Sequence, residues 1–377
     1  MQRYYFDHNA TTPVSAEVLD AWLPALRDGY GNASSIHYFG QVAKQRLEAA
    51  RRQVALLLNA PASDMVFTSG GTEANNLAIF GIAGAGGHVI TTAIEHPAVL
   101  NPCDQLHAVS KVPVGSDGIV DPADIRRALR SDTRLISVMH ANNELGTIQP
   151  IAEIAAIAKE AGVVFHVDGV QAVGKVPVDV AALGVDLYSL SGHKFYAPKG
   201  IGALFVRKGV RLRPLMFGGR HERERRPGTE NVPGAVALGR AAELVRETQV
   251  LESERLAKLR DRLERSVIDN VPSAFVNGST AHRLPNTSNI RFDGIEGEAI
   301  VISLDLKGFA VSSGSACSSG AVEPSHVLLA IGLSSEDARS SVRFSLGASN
   351  TVEQVDALAK AVAESVAHLR RLSPVYA

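Results

Sequence analysis

Lys194 has the clearest chemical potential in this chain, because it follows a short apolar strand within residues 186–202, DLYSLSGHKFYAPKGIG. An ammonium group at the end of a buried strand is costly unless it is paired or loses its proton, and an amine with a lowered pKa can form a Schiff base. Such a lysine suggests the cofactor pyridoxal 5'-phosphate. A surface lysine at a strand end fits this stretch equally well, so other segments must supply the rest of a cofactor site.

A candidate phosphate cradle lies earlier in the chain. Residues 65–69 predict a strand, and Gly70, Gly71 and Thr72 then open a helix. The N-terminus of a helix offers free backbone N–H groups and the positive end of the helix dipole, which together bind anions. A plain strand-to-helix turn remains the alternative. The chain contains no G-x-G-x-x-G fingerprint at a strand-to-helix turn and no G-x-x-x-x-G-K-[ST] motif, so nucleotide phosphates are not expected.

Strand and helix patterns alternate from residue 65 to residue 206, which indicates a parallel sheet covered by helices on both faces. The carboxyl ends of parallel strands share one edge of such a sheet, where ligands bind. We therefore expect the polar residues that follow the strands to converge at this edge. They are Thr72, His96, Asn143, Asp168, Gln171, His193 and Lys194.

Asp168 and His96 each allow two interpretations. A carboxylate after an apolar strand is disfavoured without a cationic partner, and a pyridinium nitrogen would be such a partner. A helix N-cap or a salt bridge explains Asp168 equally well. His96 fits a functional residue at a strand end, although a hydrogen-bonded structural histidine is the commoner case.

Cys317 is the second candidate for covalent chemistry. It lies in residues 312–321, a run of Ser, Gly and Ala that cannot bury much apolar surface, so we expect this loop to be mobile. A thiolate on such a tether can travel to a substrate, whereas a flexible linker with an incidental cysteine is the alternative. The only other cysteine, Cys103, lies in a helical pattern and is expected to be inert. Two cysteines without a C-x-x-C motif exclude a disulfide framework and a structural zinc site.

Composition narrows the class of protein. The 377 residues exceed what one core usually holds, so two domains or a large domain with a smaller lobe are expected. Lys+Arg 38 against Asp+Glu 39 argues against general binding of nucleic acid or membrane surfaces. No apolar run is long enough for a membrane span, and the first residues lack the apolar core of a signal peptide, so a cytoplasmic location is expected.

The remaining elements are predicted more simply. Thr12 is predicted to cap a helix that begins at Pro13. A long helix is predicted from Val232 through Leu263, across the junction between domains. After Pro272, shorter alternating strands and separate helices indicate a smaller α+β lobe, which the N-terminal segment is expected to join. The charged loop at 218–231 has the composition of a solvated charge run.

Taken together, motifs spread over nearly the whole chain resemble the cysteine desulfurases of the NifS/IscS type. These enzymes are class V members of the aspartate aminotransferase-like fold of PLP-dependent transferases. The matching motifs are Asp7-x-Asn9-Ala10-Thr11-Thr12, Gly31-Asn32-x-Ser34-Ser35-x-His37, Thr68-Ser69-Gly70-Gly71-Thr72-Glu73, Glu95-His96, Asn142-Asn143-Glu144, Asp168-x-x-Gln171, Ser191-Gly192-His193-Lys194, Arg226-x-Gly228-Thr229-x-Asn231, Ser313-Gly314-Ser315-Ala316-Cys317 and Arg343-Phe344-Ser345.

The resemblance implies a role for each matching residue. Lys194 forms the Schiff base with the cofactor and removes the substrate α-proton, His96 stacks on the ring and moves protons on the substrate thiol, and Cys317 accepts the sulfur as a persulfide. Asp168 pairs with the ring nitrogen and Gln171 with the ring hydroxyl. The implied phosphate ligands are Gly71, Thr72, Ser191, His193 and, from the partner subunit of a homodimer, Thr229. The implied substrate-binding residues are Asn32, Asn143 and Arg343. Of these, Asn143 also holds the substituents of the cofactor ring, and Arg343 holds the carboxylate of the substrate.

The same resemblance predicts the organisation and partners of the protein. It implies a large cofactor-binding domain of residues 14–260, with a mainly parallel sheet, and a small α+β domain of residues 1–13 and 261–377 that carries the Cys317 loop. L-cysteine is the expected substrate, L-alanine the product, and an iron–sulfur scaffold protein the sulfur acceptor. Cys317 is then also the one candidate metal-contacting residue, as a transient ligand of an iron–sulfur cluster during persulfide transfer.

Some features depart from the family pattern. His8 stands where Asn is usual and Ala33 where Pro is usual. Only a short tail follows residue 372, so we expect scaffold docking to differ from the housekeeping branch, and several features are closer to the nitrogenase-associated branch. The alternatives are a selenocysteine lyase or another class V aminotransferase and, from a different class, a non-catalytic sulfur-trafficking scaffold that binds no cofactor.

Overall fold

The computed structural model describes residues 2–313 and 323–372. Within these ranges the chain forms twelve strands and twelve α-helices. The strands are β1 (Tyr4–Tyr5), β2 (Met65–Thr68), β3 (His88–Thr92), β4 (Val109–Val112), β5 (Thr133–Met139), β6 (Val164–Asp168), β7 (Leu187–Ser191), β8 (Gly202–Val206), β9 (Ala274–Val276), β10 (Thr287–Phe292), β11 (Phe309–Ala310) and β12 (Ser341–Ser345). The helices are α1 (Ala16–Asp28), α2 (Tyr38–Leu57), α3 (Gly71–Ala83), α4 (Pro97–Asp104), α5 (Pro122–Ala128), α6 (Ile151–Ala161), α7 (Val180–Leu183), α8 (Val232–Asn270), α9 (Gly297–Leu306), α10 (His326–Ala330), α11 (Ser335–Arg339) and α12 (Val352–Leu372).

A seven-stranded sheet in the order β2-β8-β7-β6-β5-β3-β4 forms the centre of the larger part. The strand β8 runs antiparallel to both of its neighbours, and the remaining pairs are parallel. Side chains alternate across the sheet: Ala203 and Phe205 pack in the core that includes α2, α6 and α8, while Leu204 and Val206 pack against α3. Helices therefore cover both faces, as the alternation of patterns predicted.

The smaller lobe has its own core. The strands β12, β10 and β9 form an antiparallel sheet, and β1 pairs with β11 in parallel. Phe6 is fully buried in this second core beside residues of β10, β12 and α12, so the N-terminal segment packs against the C-terminal lobe. The helix α8 contributes Val232–Val245 to the large core and Leu256–Val267 to the small one, as predicted for a helix across the junction. The exact domain boundaries stay a prediction: residues 14–260 for the large domain, and residues 1–13 with 261–377 for the small domain.

The predicted start of the first helix is wrong. The helix α1 begins at Ala16, and Ser15 caps it by accepting a hydrogen bond from Val18 N. The hydroxyl of Thr12 is not free to cap a helix, because it donates to His193 O and accepts from Tyr196 N. Thr12 therefore ties the N-terminal segment to the turn that carries Lys194. In the described ranges, no helix is both long enough and apolar enough to cross a membrane.

Candidate active site

One cavity of about 310 Å³ lies at the carboxyl ends of the parallel strands. All seven polar residues that were expected to converge at this edge line it, and Arg343 from β12 closes the side that faces the small lobe. Ser191, at the end of β7, and Gly71, at the start of α3, also line the cavity. The fold thus brings together nucleophilic, acidic and cationic side chains within one concave space.

Lys194 lies in the turn after β7 and is partly buried. Its Nζ donates to the carbonyl oxygens of Asn9 at 2.6 Å and Ala10 at 2.9 Å. Because these acceptors are backbone atoms of the N-terminal segment, the position of the amine depends on how that segment packs. A lysine amine in this place can reach a carbonyl compound held in the cavity.

Asp168 ends β6 with its carboxylate at the cavity and is 6% exposed. Its Oδ2 accepts a hydrogen bond from Asn75 Nδ2 at 2.7 Å, and its Oδ1 accepts one from Val170 N at 3.0 Å. These two bonds orient the carboxyl group toward the cavity. Asn75, a buried residue of α3, was not found from the sequence, since its helical position gave no signal of a contact with a strand end.

The first turn of α3 forms the candidate phosphate cradle. Its N-cap, Gly70, makes no side-chain capping bond and has a φ of 155°, a conformation that favours glycine. A Cβ on Gly71 would lie 2.6 Å from Val170 Cγ2, so the backbone approaches the next loop closely here. Ser191 lies beside Gly70, and Thr72 adds a second hydroxyl group. Free amides and hydroxyls at a helix N-terminus suit a phosphate group.

His193 lies next to this cradle and contacts Thr11 Oγ1 through Nδ1 at 3.1 Å. Burial, followed by the nearby Lys194, Lys199 and Lys175, lowers the pKa of His193 to about 4. The imidazole is therefore neutral at neutral pH. A neutral imidazole can still donate one N–H to an anion, so His193 fits the cradle as a hydrogen-bond donor.

His96 caps α4, and its Nδ1 accepts a hydrogen bond from Ala98 N at 3.0 Å. This bond assigns the proton of the neutral ring to Nε2. Burial is the largest cause that lowers the pKa of His96; Asp168 opposes it, and Lys194 and His326 add to it. His96 therefore enters the cavity as a neutral Nε2–H donor, and it can gain a second proton only by giving up the bond from Ala98.

Glu95 holds the turn before His96. Its Oε1 accepts hydrogen bonds from Thr92 Oγ1 at 2.6 Å and Met139 N at 2.9 Å, and its backbone oxygen contacts His326 Nε2 at 2.9 Å. Burial raises the pKa of Glu95 to about 8. The side chain is thus largely a neutral acid at neutral pH and links β3 to β5, while the backbone oxygen of Glu95 joins this turn to α10.

Arg343 is the main cation from the small lobe. Its Nη2 donates to Asp7 Oδ1 at 2.7 Å, and its Nη1 donates to Asn143 O at 3.0 Å. Within the described ranges its buried Nε has no partner, so the guanidinium keeps capacity for one more acceptor. Arg343 also pairs through its backbone with Ser312, so the first residue of the 312–321 run lies beside the β12 backbone at Arg343.

Two predicted site residues, Asn32 and Thr229, are not part of this cavity, and the structure does not test a third. Asn32 lies in the loop after α1, where its Oδ1 accepts from Ser34 N at 2.8 Å. Thr229 is exposed and lines a separate cavity of about 220 Å³ with Arg226 and Ser69. Cys317 lies outside the described residues. In the part of the chain that is described, no group of three or more His, Cys, Asp or Glu side chains is arranged to hold a metal ion.

Cys103 contrasts with the cysteine expected to react. It is fully buried in α4, and burial raises the pKa of its thiol to about 12. The side chain is therefore a protonated, inaccessible thiol at neutral pH. This environment agrees with the prediction that Cys103 is inert.

Comparisons with known proteins agree with this architecture. Residues 4–358 match the family described as Aminotransferase class-V. The cysteine desulfurase IscS of Dictyoglomus turgidum is 48% identical, with 98% of this chain and 96% of the relative covered. The protein of the same name from Methanosarcina thermophila is 50% identical, with 98% and 94% covered. Among solved structures, a NifS-like protein superposes with a TM-score of 0.91 at 37% identity and covers 97% of this chain and 100% of its own.

The chain therefore belongs to the class-V aminotransferase family, and its α/β fold is that of PLP-dependent transferases. Within that family it belongs with the cysteine desulfurases of the NifS/IscS type. Both the family and the fold inferred from the sequence motifs are confirmed. A further solved relative, described as SspA in complex with cysteine, has a TM-score of 0.81 at 38% identity over 91% of this chain and 98% of its own.

Proposed function

We propose that this protein is a cysteine desulfurase that binds pyridoxal 5'-phosphate in the central cavity, converts L-cysteine to L-alanine and transfers the sulfur to Cys317. The observation that carries the proposal is the meeting of Lys194, Asp168, the first turn of α3 and Arg343 around one space. Each of these groups suits a different part of the cofactor or substrate. Their residue types and the family membership support the same reaction.

The chain's own residues fit the cofactor chemically. The amine of Lys194 suits an aldehyde, the carboxyl group of Asp168 suits a ring nitrogen, and the α3 cradle suits a phosphate group. When bound, the cofactor supplies an aldehyde for amines and a cationic ring that withdraws electrons from the substrate α-carbon. Gln171, which donates Nε2 to Asn9 O at 2.9 Å, is the proposed partner of the ring oxygen.

The proposed steps follow from the side chains. Arg343 and Asn143 orient the substrate through its carboxylate, which places the α-carbon before Lys194. The amine of Lys194 then takes the α-proton as general base. Asp168 would hold the ring nitrogen of the cofactor in its protonated form. His96, with its proton on Nε2, can donate to the substrate sulfur.

Cys317 completes the reaction. Its thiolate attacks the substrate sulfur, so that a sulfur–sulfur bond forms while the carbon–sulfur bond breaks and its electron pair passes to the organic fragment. That fragment takes up protons and leaves as alanine. The enzyme keeps the sulfur as a persulfide, which we propose is passed to an iron–sulfur scaffold protein, with Cys317 as a transient cluster ligand. A link to nitrogenase stays a prediction, as does the cytoplasmic location.

A homodimer completes the proposed site. Thr229 is exposed and lies away from the cavity of its own chain, which suits a residue that serves the phosphate of the partner subunit. Large apolar side chains near Asn32 and Thr229 are open to solvent in the single chain, with Ile36 93% and Phe217 91% exposed. Exposed apolar surface of this kind supports a contact with a second copy. Measuring the mass in solution tests this arrangement.

The sharpest test compares the two cysteines. After wild-type holoenzyme is mixed with L-cysteine, mass spectrometry should find added sulfur on the Cys317 peptide and not on the Cys103 peptide. Cys317→Ser should still change the cofactor absorbance with L-cysteine but release no alanine, while Cys103→Ser should behave as wild type. Alanine release from Cys317→Ser would contradict the assignment.

The rival functions give different results in the same assay. A transaminase would turn L-cysteine into a keto acid instead of alanine and sulfide, and a selenocysteine lyase would prefer selenocysteine over cysteine. A non-catalytic scaffold would stay colourless after pyridoxal 5'-phosphate is added. Borohydride reduction of the holoenzyme should attach a pyridoxyl group to Lys194, and its absence from that residue would overturn the cofactor assignment.

A further inference from the structure

A second lysine, Lys175, is buried beside the active-site cavity, and the sequence motifs did not single it out. It is 6% exposed, and its ammonium group forms no salt bridge within the described residues. Burial, then the charges of Lys194 and Arg343, lower its pKa well below the ordinary value. Burying a cation near two other cations costs free energy that an apolar side chain would avoid. Stability alone therefore does not explain this residue.

The contacts of Lys175 suggest what it does. Its Nζ donates to Gln171 Oε1 at 2.5 Å and to Asn9 Oδ1 at 2.9 Å. An ammonium group can only donate, so Gln171 must turn its oxygen toward Lys175. The amide nitrogen Nε2 then faces Asn9 O, to which it donates one of its two hydrogens at 2.9 Å. The second hydrogen remains for an acceptor in the cavity that Gln171 lines.

The backbone around Lys175 is held firmly enough for this role. Ser253 Oγ of α8 donates to Lys175 O at 2.6 Å, and Gln249 of the same helix donates to Val176 O. Gly174 has a φ of 84°, and a Cβ there would lie 2.6 Å from Phe195 Cβ, next to Lys194. The segment that carries Lys175 is therefore fixed between α8 and the turn of the proposed reactive lysine.

We propose that Lys175 is a positioning residue, whose hydrogen bonds to Gln171 and Asn9 hold the Gln171 amide as a donor toward the cofactor's ring oxygen. A donor at that place favours the ionised form of the oxygen, whereas a rotated amide would present its own oxygen and favour the protonated form. The inference rests on the proposed function, since it assigns a cofactor contact to Gln171. Lys175 itself touches neither cofactor nor substrate in this scheme.

A double-mutant cycle tests this coupling. The variants are Lys175→Met, Gln171→Met and the double variant, and the readouts are the dissociation constant of pyridoxal 5'-phosphate for the apoprotein and the pH profile of the bound cofactor's absorbance. Lys175→Met should weaken binding about tenfold and shift the absorbance profile. In the Gln171→Met background the same change should have almost no further effect. Independent, additive effects would show that Lys175 does not act through Gln171.

Lys175→Gln is the matched control, because it keeps an N–H donor without the charge. It should stay closer to wild type than Lys175→Met in both readouts; if it equals Lys175→Met, the charge and not the hydrogen bond matters, and the proposal is wrong. Lys175→Met should melt at or above the wild-type temperature, since it replaces a buried amine without a salt bridge by an apolar side chain of similar length. If both variants melt several degrees lower, Lys175 is structural, and the proposal is again wrong.

These experiments distinguish a failure of the Lys175 proposal from a failure of the proposed function. A wild-type protein that binds no pyridoxal 5'-phosphate contradicts the proposed function, whatever the variants do. A wild-type protein that binds the cofactor, together with additive effects in the cycle, contradicts only the role of Lys175.

Discussion

The two walls of the active-site cavity are built in different ways. The sheet-edge wall consists of Thr72, His96, Asp168, Gln171 and Lys194, each placed directly after a strand or at the start of the following helix. The small-lobe wall consists of Asn9, Ala10 and Arg343, and it is held by hydrogen bonds between residues that are far apart in sequence, such as Arg343 to Asp7. Sheet topology brings the backbone of the first wall together, although the Lys194 amine and the Gln171 amide also bond to Asn9, whereas the packing of the two lobes places the second wall.

Asn9 shows how the walls meet. Its side chain donates Nδ2 to Thr287 Oγ1 at 2.9 Å and to Asn143 O at 3.1 Å, while its carbonyl oxygen accepts from Lys194 Nζ and Gln171 Nε2. One residue of the N-terminal segment thus bonds to both lobes. In the proposed mechanism the sheet-edge wall carries the chemistry and the small-lobe wall holds the substrate.

The largest effect is expected from Asp168→Asn on the sheet-edge wall. An amide cannot keep a ring nitrogen protonated, so kcat for alanine formation should fall about 10²- to 10³-fold with little change in KM for L-cysteine. Asn75→Ala is the graded control, since it removes only the bond to Asp168 Oδ2, and about a tenfold loss is expected. If Asp168→Asn keeps more than about a tenth of the wild-type kcat, the proposed assignment of the chemistry to the sheet-edge wall is wrong.

The next effect is expected from Arg343→Met on the small-lobe wall. Loss of a charge-assisted bond to the substrate carboxylate should raise KM about 10- to 100-fold and lower kcat much less. The change also leaves Asp7 without its cation, so Asp7→Asn in the same chain should recover stability without recovering KM. Steady-state kinetics and thermal melts separate the two effects. A fall in kcat at unchanged KM would mean that Arg343 does not hold the substrate.

A smaller effect concerns the pH profile of the sheet-edge wall. The ordinary pKa of a histidine is 6.5, and burial lowers that of His96, so the neutral ring persists below pH 6.5. If protonation of His96 stops turnover, kcat/KM should stay high through pH 6.5 and fall only at lower pH. His96→Gln should lose this limb as well as activity. If kcat/KM instead falls at or above pH 6.5, and this fall disappears in His96→Gln, the lowered pKa of His96 is contradicted.

The smallest effects are expected from removing two hydroxyl groups near the N-terminus, those of Ser15 and Thr12. Ser15→Ala removes the cap of α1 and should cost about 1 kcal/mol of the free energy of unfolding without changing kcat. Thr12→Ala should instead lower kcat, because Thr12 bonds to the turn that carries Lys194. Denaturant unfolding and the alanine assay, run on both variants, distinguish these roles. If both variants change kcat equally, Thr12 has no special role in positioning the turn of Lys194.

Some features were predictable from the sequence and others were not. The alternation of patterns was enough to predict the parallel sheet and the residues at its carboxyl edge, because strand direction alone brings those ends together. The strand β4 was not predicted, since a four-residue edge strand with a lysine has too weak a pattern. The cap at Thr12 was wrong because the N-terminal segment's contact with the Lys194 turn claims its hydroxyl. Lys175 carried no pattern signal, because residues 170–175 form turns and not a helix whose spacing could pair it with Gln171.

The sequence by itself determined most of the strands and helices, the family motifs and thus the chemical types of the side chains around the cavity. Only the tertiary structure decided that Asn75 orients Asp168, that Asn9 joins the small-lobe wall while Asp7 holds Arg343, and that Lys175 lies unpaired with any carboxylate among the described residues. The physical reason is that hydrogen-bond partners and charge states depend on burial and on contacts between distant segments. Local patterns along the chain encode neither.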